Sequence, residues 1–219
     1  MKKLKRTIRK IIDRVQYTRI NSSEVIGNFQ ADWCIDTASL QKSPILFSGG
    51  AGNDISFEQL FVEKFDGCVY LYDPSPTGRK TFKEYNGPNK ITYHAKALGK
   101  TNMGVLMAKP QDPQEGSWTI LQSSNGNYEE FKSVSLVDEI LRYGLSYVDV
   151  VKLDIEGFEY DVLDDLLESS IEVRQILVEF HDFFDGISKW KSLKMRLKLR
   201  KKGYVCFHKS RYDFSFIKR

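Results

Sequence analysis

From residue 44 onward, short β-rich apolar runs alternate with stretches of helical spacing, and that alternation leaves few folds open. Ser43-Pro44 ends whatever precedes it. Ile45, Leu46 and Phe47 form an apolar run, residues 48–54 (SGGAGND) a glycine turn, and residues 55–64 a helix by the spacing of Ile55, Leu60, Phe61 and Phe65. Residues 68–72 (CVYLY) then form a β-rich run that ends in Asp73-Pro74. Strand, glycine turn, helix, strand and acid, in that order, open a parallel α/β sheet, since parallel neighbours need a crossover long enough to hold a helix.

Further strands are predicted within 91–98 and at 103–108, 147–153 and 175–180, and helices at 134–143, 156–168 and 189–202, the last halted by Gly203. Ser135 and Asp138 stand as a capping box with Asp in place of Glu. Residues 204–208 and 212–218 are too close in sequence for a crossover helix, so they pair as an antiparallel hairpin. The predicted fold is α/β: a Rossmann-like, doubly wound, mostly parallel seven-stranded sheet with a C-terminal antiparallel hairpin strand and helices on both faces. Residues 44–219 make one domain, and 1–43 a basic amphipathic N-terminal helix and lead-in. The polar stretch 109–130 reads as a long loop, and loops of that length are usually functional.

The net charge of +4 hides a segregation. Residues 1–19 carry eight basic groups and one acid (+7), and residues 189–219 twelve basic groups and one acid (+11), which leaves 13 basic and 27 acidic residues (−14) in between. Basic ends around an acidic middle do not make the continuous basic footprint of a nucleic-acid binder, so no nucleic acid is expected as partner. Leu4, Ile8, Ile11, Ile12 and Val15 give 1–19 an apolar stripe between basic residues. Such a helix either docks on the domain with its charges solvated or makes a peripheral contact with an anionic membrane or acidic partner. Cys34, Cys68 and Cys206 are odd in number and far apart, which supports neither a disulfide framework nor a structural zinc site. No apolar run approaches the ~20 residues that cross a bilayer. The lysine-rich start also lacks a signal-peptide core, and a cytoplasmic location is expected.

In an open α/β sheet, ligands bind beyond the carboxyl ends of the strands, where strand order reverses. Gly49, Gly50 and Gly52 fall there, as a turn that lets backbone approach a ligand closely. Asp73 follows about twenty residues later, the separation at which an acid accepts hydrogen bonds from the hydroxyls of an adenosine ribose. A dinucleotide would ask for a third glycine where Ile55 stands, and Asp54 would repel a pyrophosphate. S-adenosylmethionine has the ribose and no phosphate, and its positive groups tolerate nearby acid. In 150–163 (VVKLDIEGFEYDVL) a buried strand runs into Lys152, Asp154 and Glu156, which alternation places on one face. Ionisable groups at a strand end are costly to bury. They form either a structural ion pair of Lys152 with one carboxylate plus a helix N-cap by Glu156 or its neighbours, or a site.

The stretches 150–163, 175–181 (QILVEFH), 46–58 (LFSGGAGNDISFE) and 69–76 (VYLYDPSP) resemble the FkbM-type methyltransferases, class I S-adenosylmethionine-dependent enzymes that mostly O-methylate sugars and related hydroxylated natural products. The resemblance covers 44–219 and is most specific in K-x-D-x-E-G-x-E. It departs at two points. Ser48 replaces the acid of the family's D-x-G-A-N-x-G, with Asn53-Asp54 after Gly52, and Asp73-Pro74 replaces Glu-Pro while keeping the carboxylate.

The resemblance implies that Gly50 and Gly52 line the methionine part of the cofactor, that Asp73 takes the ribose hydroxyls, and that Ala97 and Leu98 border the adenine. Asp154 and Glu156 would face the transferred methyl group, with His181 across the pocket and Lys152 beside them. In-line displacement needs positioning and a base for the acceptor hydroxyl. Asp154 ranks first as a site residue and His181 second, as the base; His94 and His208 read as structural. No metal is called for: Asp154, Glu156 and Glu179 stand on strand ends that would suit magnesium but lack a distinctive spacing. Ser123, Ser124, Asn125 and Tyr128, with Trp118 as a stacking face, would meet a small-molecule or glycan acceptor. A non-catalytic adaptor of the same fold, whose basic ends bind membrane or acidic polymer, is the alternative reading. The terminal hairpin leaves the oligomeric state open.

Overall fold

The computed structural model describes residues 17–29, 31–100, 104–110, 118–119, 128–184 and 186–219. After a hairpin of β1 (Ser23–Ile26) and β2 (Trp33–Asp36), the chain runs β3 (Ile45–Gly49), α1 (Ser56–Phe65), β4 (Cys68–Tyr72), α2 (Pro76–Lys83) and β5 (Ile91–His94). Next come β6 (Ala97–Gly99), β7 (Gly104–Ala108), β8 (Tyr128–Ser135), α3 (Leu136–Arg142), β9 (Tyr147–Leu153), α4 (Glu159–Glu168) and β10 (Glu172–Glu179). The chain closes with α5 (Lys189–Lys201), β11 (Tyr204–Ser210) and β12 (Asp213–Lys218).

The main sheet has seven strands in the order β11-β12-β10-β9-β3-β4-β5, so the α/β fold is as predicted. β9 explains why its middle is so apolar. It pairs in parallel with β3 on one side (Phe47 opposite Val151) and β10 on the other (Val151 opposite Ile176), and is buried from Val148 to Leu153. Leu136, Ile140, Leu163, Met195 and Leu199 of α3, α4 and α5 cover one face. Phe57, Phe61 and Val62 of α1 cover the other, together with Ile26, Trp33 and Ile35 of the β1–β2 hairpin. Full burial of each large apolar side chain contributes about 1.5–3 kcal/mol. From β3 the chain moves outward to β4 and β5, then crosses back to β9 and β10. The reversal point therefore lies between β3 and β9.

Local signals fix the ends of the elements. Ser75 and Ser188 cap α2 and α5 by accepting from the Gly78 and Trp190 amides, and α1 stops at Asp66 in a left-handed conformation. Ser135 caps α3 by accepting from the Asp138 amide at 3.2 Å.

The C-terminal hairpin enters the sheet through β12, which pairs antiparallel with β10 and leaves β11 as the edge. The structure departs from the sequence reading in several places. Residues 91–98 split, β5 staying in the main sheet while β6 joins β8 and β7 in a second, three-stranded sheet. Residues 128–130, expected as loop, begin β8. Residues 156–158, expected as helix, form a turn in which Glu156 and Gly157 both have positive φ (53° and 110°).

The lead-in is also more than a helix. Gln175 of β10 holds the hairpin by accepting from the Asp36 amide (2.8 Å) and donating to the Asp36 carbonyl (2.9 Å) and the Ser39 hydroxyl (3.1 Å). Of the helix expected over 1–19, residues 1–16 lie outside the described residues, and 17–19 are not helical: Tyr17 bridges to Cys206 beside β11. Cys34 and Cys206 are buried and Cys68 exposed, and none of the three is in a disulfide among the described residues. No described helix is long and apolar enough to cross a membrane.

Candidate functional site

A cavity of about 510 Å³ opens at the reversal point, beyond the carboxyl ends of β3, β4 and β9. Two backbone bonds set its mouth: the Gly50 amide donates to the Tyr72 carbonyl (2.9 Å) and the Asp154 amide to the Gly49 carbonyl (3.1 Å). The glycine turn and the β9 end thus face each other. Gly50 has φ +90°, and a Cβ on it would overlap the Asp154 carbonyl oxygen. Gly52 has φ +48° and nothing within 4 Å of where a Cβ would stand, so its backbone lies bare to the cavity. Gly49 is different. It lies behind the wall, where a Cβ would come within 2.8 Å of Ile155 and 2.9 Å of Leu98, and its role is packing rather than ligand contact.

Asp73 lines the cavity but is already engaged. Its Oδ2 accepts from the Ala51 (2.8 Å) and Gly52 (3.1 Å) amides and its Oδ1 from the Ser75 amide (2.7 Å). A carboxylate offers about four acceptor positions, so roughly one is left for a ligand hydroxyl. Ala97 and Leu98, on β6, sit buried in the cavity wall.

Lys152 lies in the same wall, yet its ammonium is spoken for. It donates to the Gly50 carbonyl (2.8 Å) and pairs with Glu58 Oε1 (3.2 Å), which also accepts from the Ser48 hydroxyl (2.5 Å). Both side chains are buried. This is the structural ion pair that the sequence left open, and it takes Lys152 out of the catalytic set. It is a strut that fixes the glycine turn.

Asp154, Glu156 and His181 do come together, with ligand-capable atoms all within 4.8 Å of one another. Asp154 and Glu156 line the cavity; His181, 2% exposed, stands beneath them. Its Nδ1 lies 2.7 Å from Glu159 Oε1, and its Nε2 faces Glu156 Oε2 (3.4 Å), Asp154 Oδ1 (3.8 Å) and Glu179 Oε2 (3.8 Å). Burial alone would lower the imidazole pKa. The Glu159 hydrogen bond and the charges of Glu159, Glu156 and Asp154 outweigh it and hold the pKa at about 10. Burial and the neighbouring Asp154 push the Glu179 carboxyl up to about 8. Burial, with Asp154 and Asp32 nearby, pushes Asp213 up to about 6. Held protonated below the cavity floor, His181 is a weaker proton acceptor than the base expected from the sequence.

Trp118 lines the cavity, edge-on to Phe131 at 5.1 Å. Tyr128 is exposed at the start of β8, and Ser123, Ser124 and Asn125 lie outside the described residues. His94 is structural, with Nε2 at 2.9 Å from the Tyr143 hydroxyl and its ring stacked on Tyr72. Sequence reasoning missed Glu58, Glu159 and Trp33. For Glu58 there was a usable signal: a lysine inside a buried strand requires a counter-charge.

The family model described as methyltransferase FkbM domain matches residues 42–206. No protein of curated function matches the chain. Among solved structures it is similar to M. jannaschii TYW2 in complex with AdoMet (11% identity, covering 92% of this chain and 89% of that one, TM-score 0.39). It is also similar to the Methanococcus jannaschii fibrillarin pre-rRNA processing protein (10%, 92% and 84%, 0.47). A third is the N-terminal domain of human METTL16 in complex with SAH (12%, 83% and 62%, 0.42).

Proposed function

This chain belongs to the methyltransferase FkbM domain family and is an S-adenosylmethionine-dependent methyltransferase, and from that premise we propose that it methylates a hydroxyl of a sugar, glycan or related small molecule. The observation that carries the proposal is the pair of carboxylates, Asp154 and Glu156, on the cavity wall at the β9 end, in the same cavity as the glycine turn, where Gly52 has open space around its Cα. The cavity residues fit the cofactor. Glycine backbone gives room along one side, the remaining acceptor position of Asp73 suits a ribose hydroxyl, and Ala97 and Leu98 offer an apolar slot. Glu58 reaches from α1 to the side chain of Ser48, and so returns a carboxylate to the place where the family pattern has an acid.

When bound, S-adenosylmethionine supplies a methyl carbon activated by a sulfonium. The protein has to hold a hydroxyl oxygen in line with it and remove a proton, because a neutral hydroxyl is a poor nucleophile. Asp154, partly exposed to the cavity and without a Lys or Arg partner among the described residues, accepts that proton; Glu156 flanks it. Trp118 and Trp33 bound the space beside them and offer flat apolar faces to a sugar ring.

The full chain incubated with methyl-labelled S-adenosylmethionine and a panel of hydroxylated sugars and glycosides should transfer label to an acceptor oxygen. Asp154→Asn should lower kcat by about 10²–10⁴-fold while S-adenosylhomocysteine affinity stays within a few-fold. Label found only on nitrogen, or full turnover in the Asp154→Asn enzyme, would overturn the proposal.

A further inference from the structure

We propose that Asp154, Glu156 and His181, with Glu179 beside them, form a binding site for a divalent cation at the floor of the cavity, the cation displacing the proton that His181 otherwise holds on Nε2. The site is more than an acidic cluster, because a buried imidazole is aimed into it. His181 is fixed from behind by the 2.7 Å contact of Nδ1 with Glu159 Oε1, and its Nε2, 3.4–3.8 Å from three carboxylates, makes no hydrogen bond among the described residues. Those distances are too long for good hydrogen bonds. They match instead the spacing of ligands around a shared ion: bonds of about 2.0–2.2 Å put neighbouring ligands about 3.0–3.5 Å apart and opposite ones a little over 4 Å.

The outer shell points the same way. Metal-ligating histidines commonly hold their second ring nitrogen against a carboxylate, which sets the tautomer and the ring direction. Glu159 does so here, and the same Oε1 accepts from the Ile155 (3.2 Å) and Gly157 (3.0 Å) amides, locking the turn that carries Glu156. Its Oε2 is buried with no hydrogen-bond partner among the described residues. Among the described residues no Lys or Arg pairs with Asp154, Glu159, Glu179 or Asp213, and a single imidazole faces them all. A divalent cation supplies the missing positive charge.

One imidazole nitrogen with two or three carboxylate oxygens suits Mn²⁺ better than Mg²⁺ or Ca²⁺, which take oxygen almost alone. Asp154 and Glu156 face the cavity, so positions left open on the cation face the acceptor. A hydroxyl oxygen bound there is made more acidic, and its proton passes to the carboxylate oxygen of Asp154 that does not hold the cation. That use of the cation rests on the function proposed above; its binding does not.

The test is calorimetric and electron-paramagnetic titration of the metal-stripped full chain with Mn²⁺ alone, followed by S-adenosylhomocysteine. One Mn²⁺ per chain is expected. Asp154→Asn should weaken it at least tenfold, and Glu159→Gln, which touches no ion, about 10–100-fold, with thermal melts confirming that both variants fold. Absence of saturable Mn²⁺ binding, or unchanged affinity in a folded Asp154→Asn, would overturn the site. Mn²⁺ binding without S-adenosylhomocysteine binding would leave the cation site standing and remove the methyl-transfer reading; the reverse result would do the opposite.

Discussion

Two glycines in one turn serve different ends, and substitution separates them. A methyl on Gly50 runs into the Asp154 carbonyl at a φ that L-residues avoid, so Gly50→Ala should part the glycine turn from the β9 end. Its melting temperature should drop and S-adenosylhomocysteine binding should be lost. Gly52→Ala meets open space and carries only the left-handed backbone cost, about 1–2 kcal/mol. Equal effects of the two substitutions in thermal unfolding would contradict this account. The Glu58–Lys152 pair makes a second prediction. Removing one partner strands a buried charge, so Glu58→Leu should destabilise by about 3–5 kcal/mol, while Glu58→Leu with Lys152→Met should recover most of that. Urea unfolding of the single and double variants decides it, and a double variant no better than the single one would refute the strut. Lys152, Asp154 and Glu156 were all visible in the sequence as charges ending a buried strand, but their partners were not. Glu58 and Glu159 sit in helices, where periodicity does not tell a buried glutamate from a solvated one.

At the scale of elements, the parallel strands were legible because burial on both faces makes their sequences mostly apolar, with Asp149 and Lys152 the exceptions in β9. The β1–β2 hairpin was not. β1 (SEVI) is exposed except at Ile26, and β2 (WCID) is four residues long, so neither shows a pattern above its surroundings. What attaches the hairpin to the domain is the buried amide of Gln175, and Gln175→Leu leaves the Asp36 backbone groups without partners. A loss of about 1–3 kcal/mol per stranded group is expected. Amide exchange should accelerate at residues 33–36; unchanged exchange there would show that apolar packing alone holds the hairpin. β8 was misread in part because its first three residues, Tyr128, Glu129 and Glu130, are exposed and polar. α3 is tied to β4 through Glu139. Burial would raise its carboxyl pKa, but the Tyr72 hydroxyl (2.8 Å) and the Arg142 guanidinium (2.5 Å) hold it below the ordinary glutamate value. A depressed carboxylate stabilises the fold above its unfolded pKa and loses that contribution as pH falls through the folded one. Glu139→Gln should therefore flatten the acid limb of the stability curve below about pH 4.5, and an unchanged acid limb would rule the tie out.

For the molecule as a whole, the uneven charge seen in the sequence has a spatial counterpart. The acidic middle concentrates at the β9 and β10 ends, around His181, where a sulfonium-bearing cofactor and a cation are both favoured. Part of the basic C-terminal segment is neutralised locally: Lys198 pairs with Asp164 and Glu168, and Lys202 with Glu168. The mostly parallel α/β sheet and the glycine turn could be inferred from sequence because each follows from local pattern and short connections. The raised pKa of the buried His181 could not, because it depends on Glu159, Glu156 and Asp154 meeting across two strand ends. The central claim is that this cavity holds S-adenosylmethionine, and the most direct measurement is isothermal titration of the full chain with S-adenosylhomocysteine. The account predicts one site per chain, lost in Gly50→Ala and weakened about tenfold or more in Asp73→Ala; no heat of binding at high micromolar ligand would contradict it.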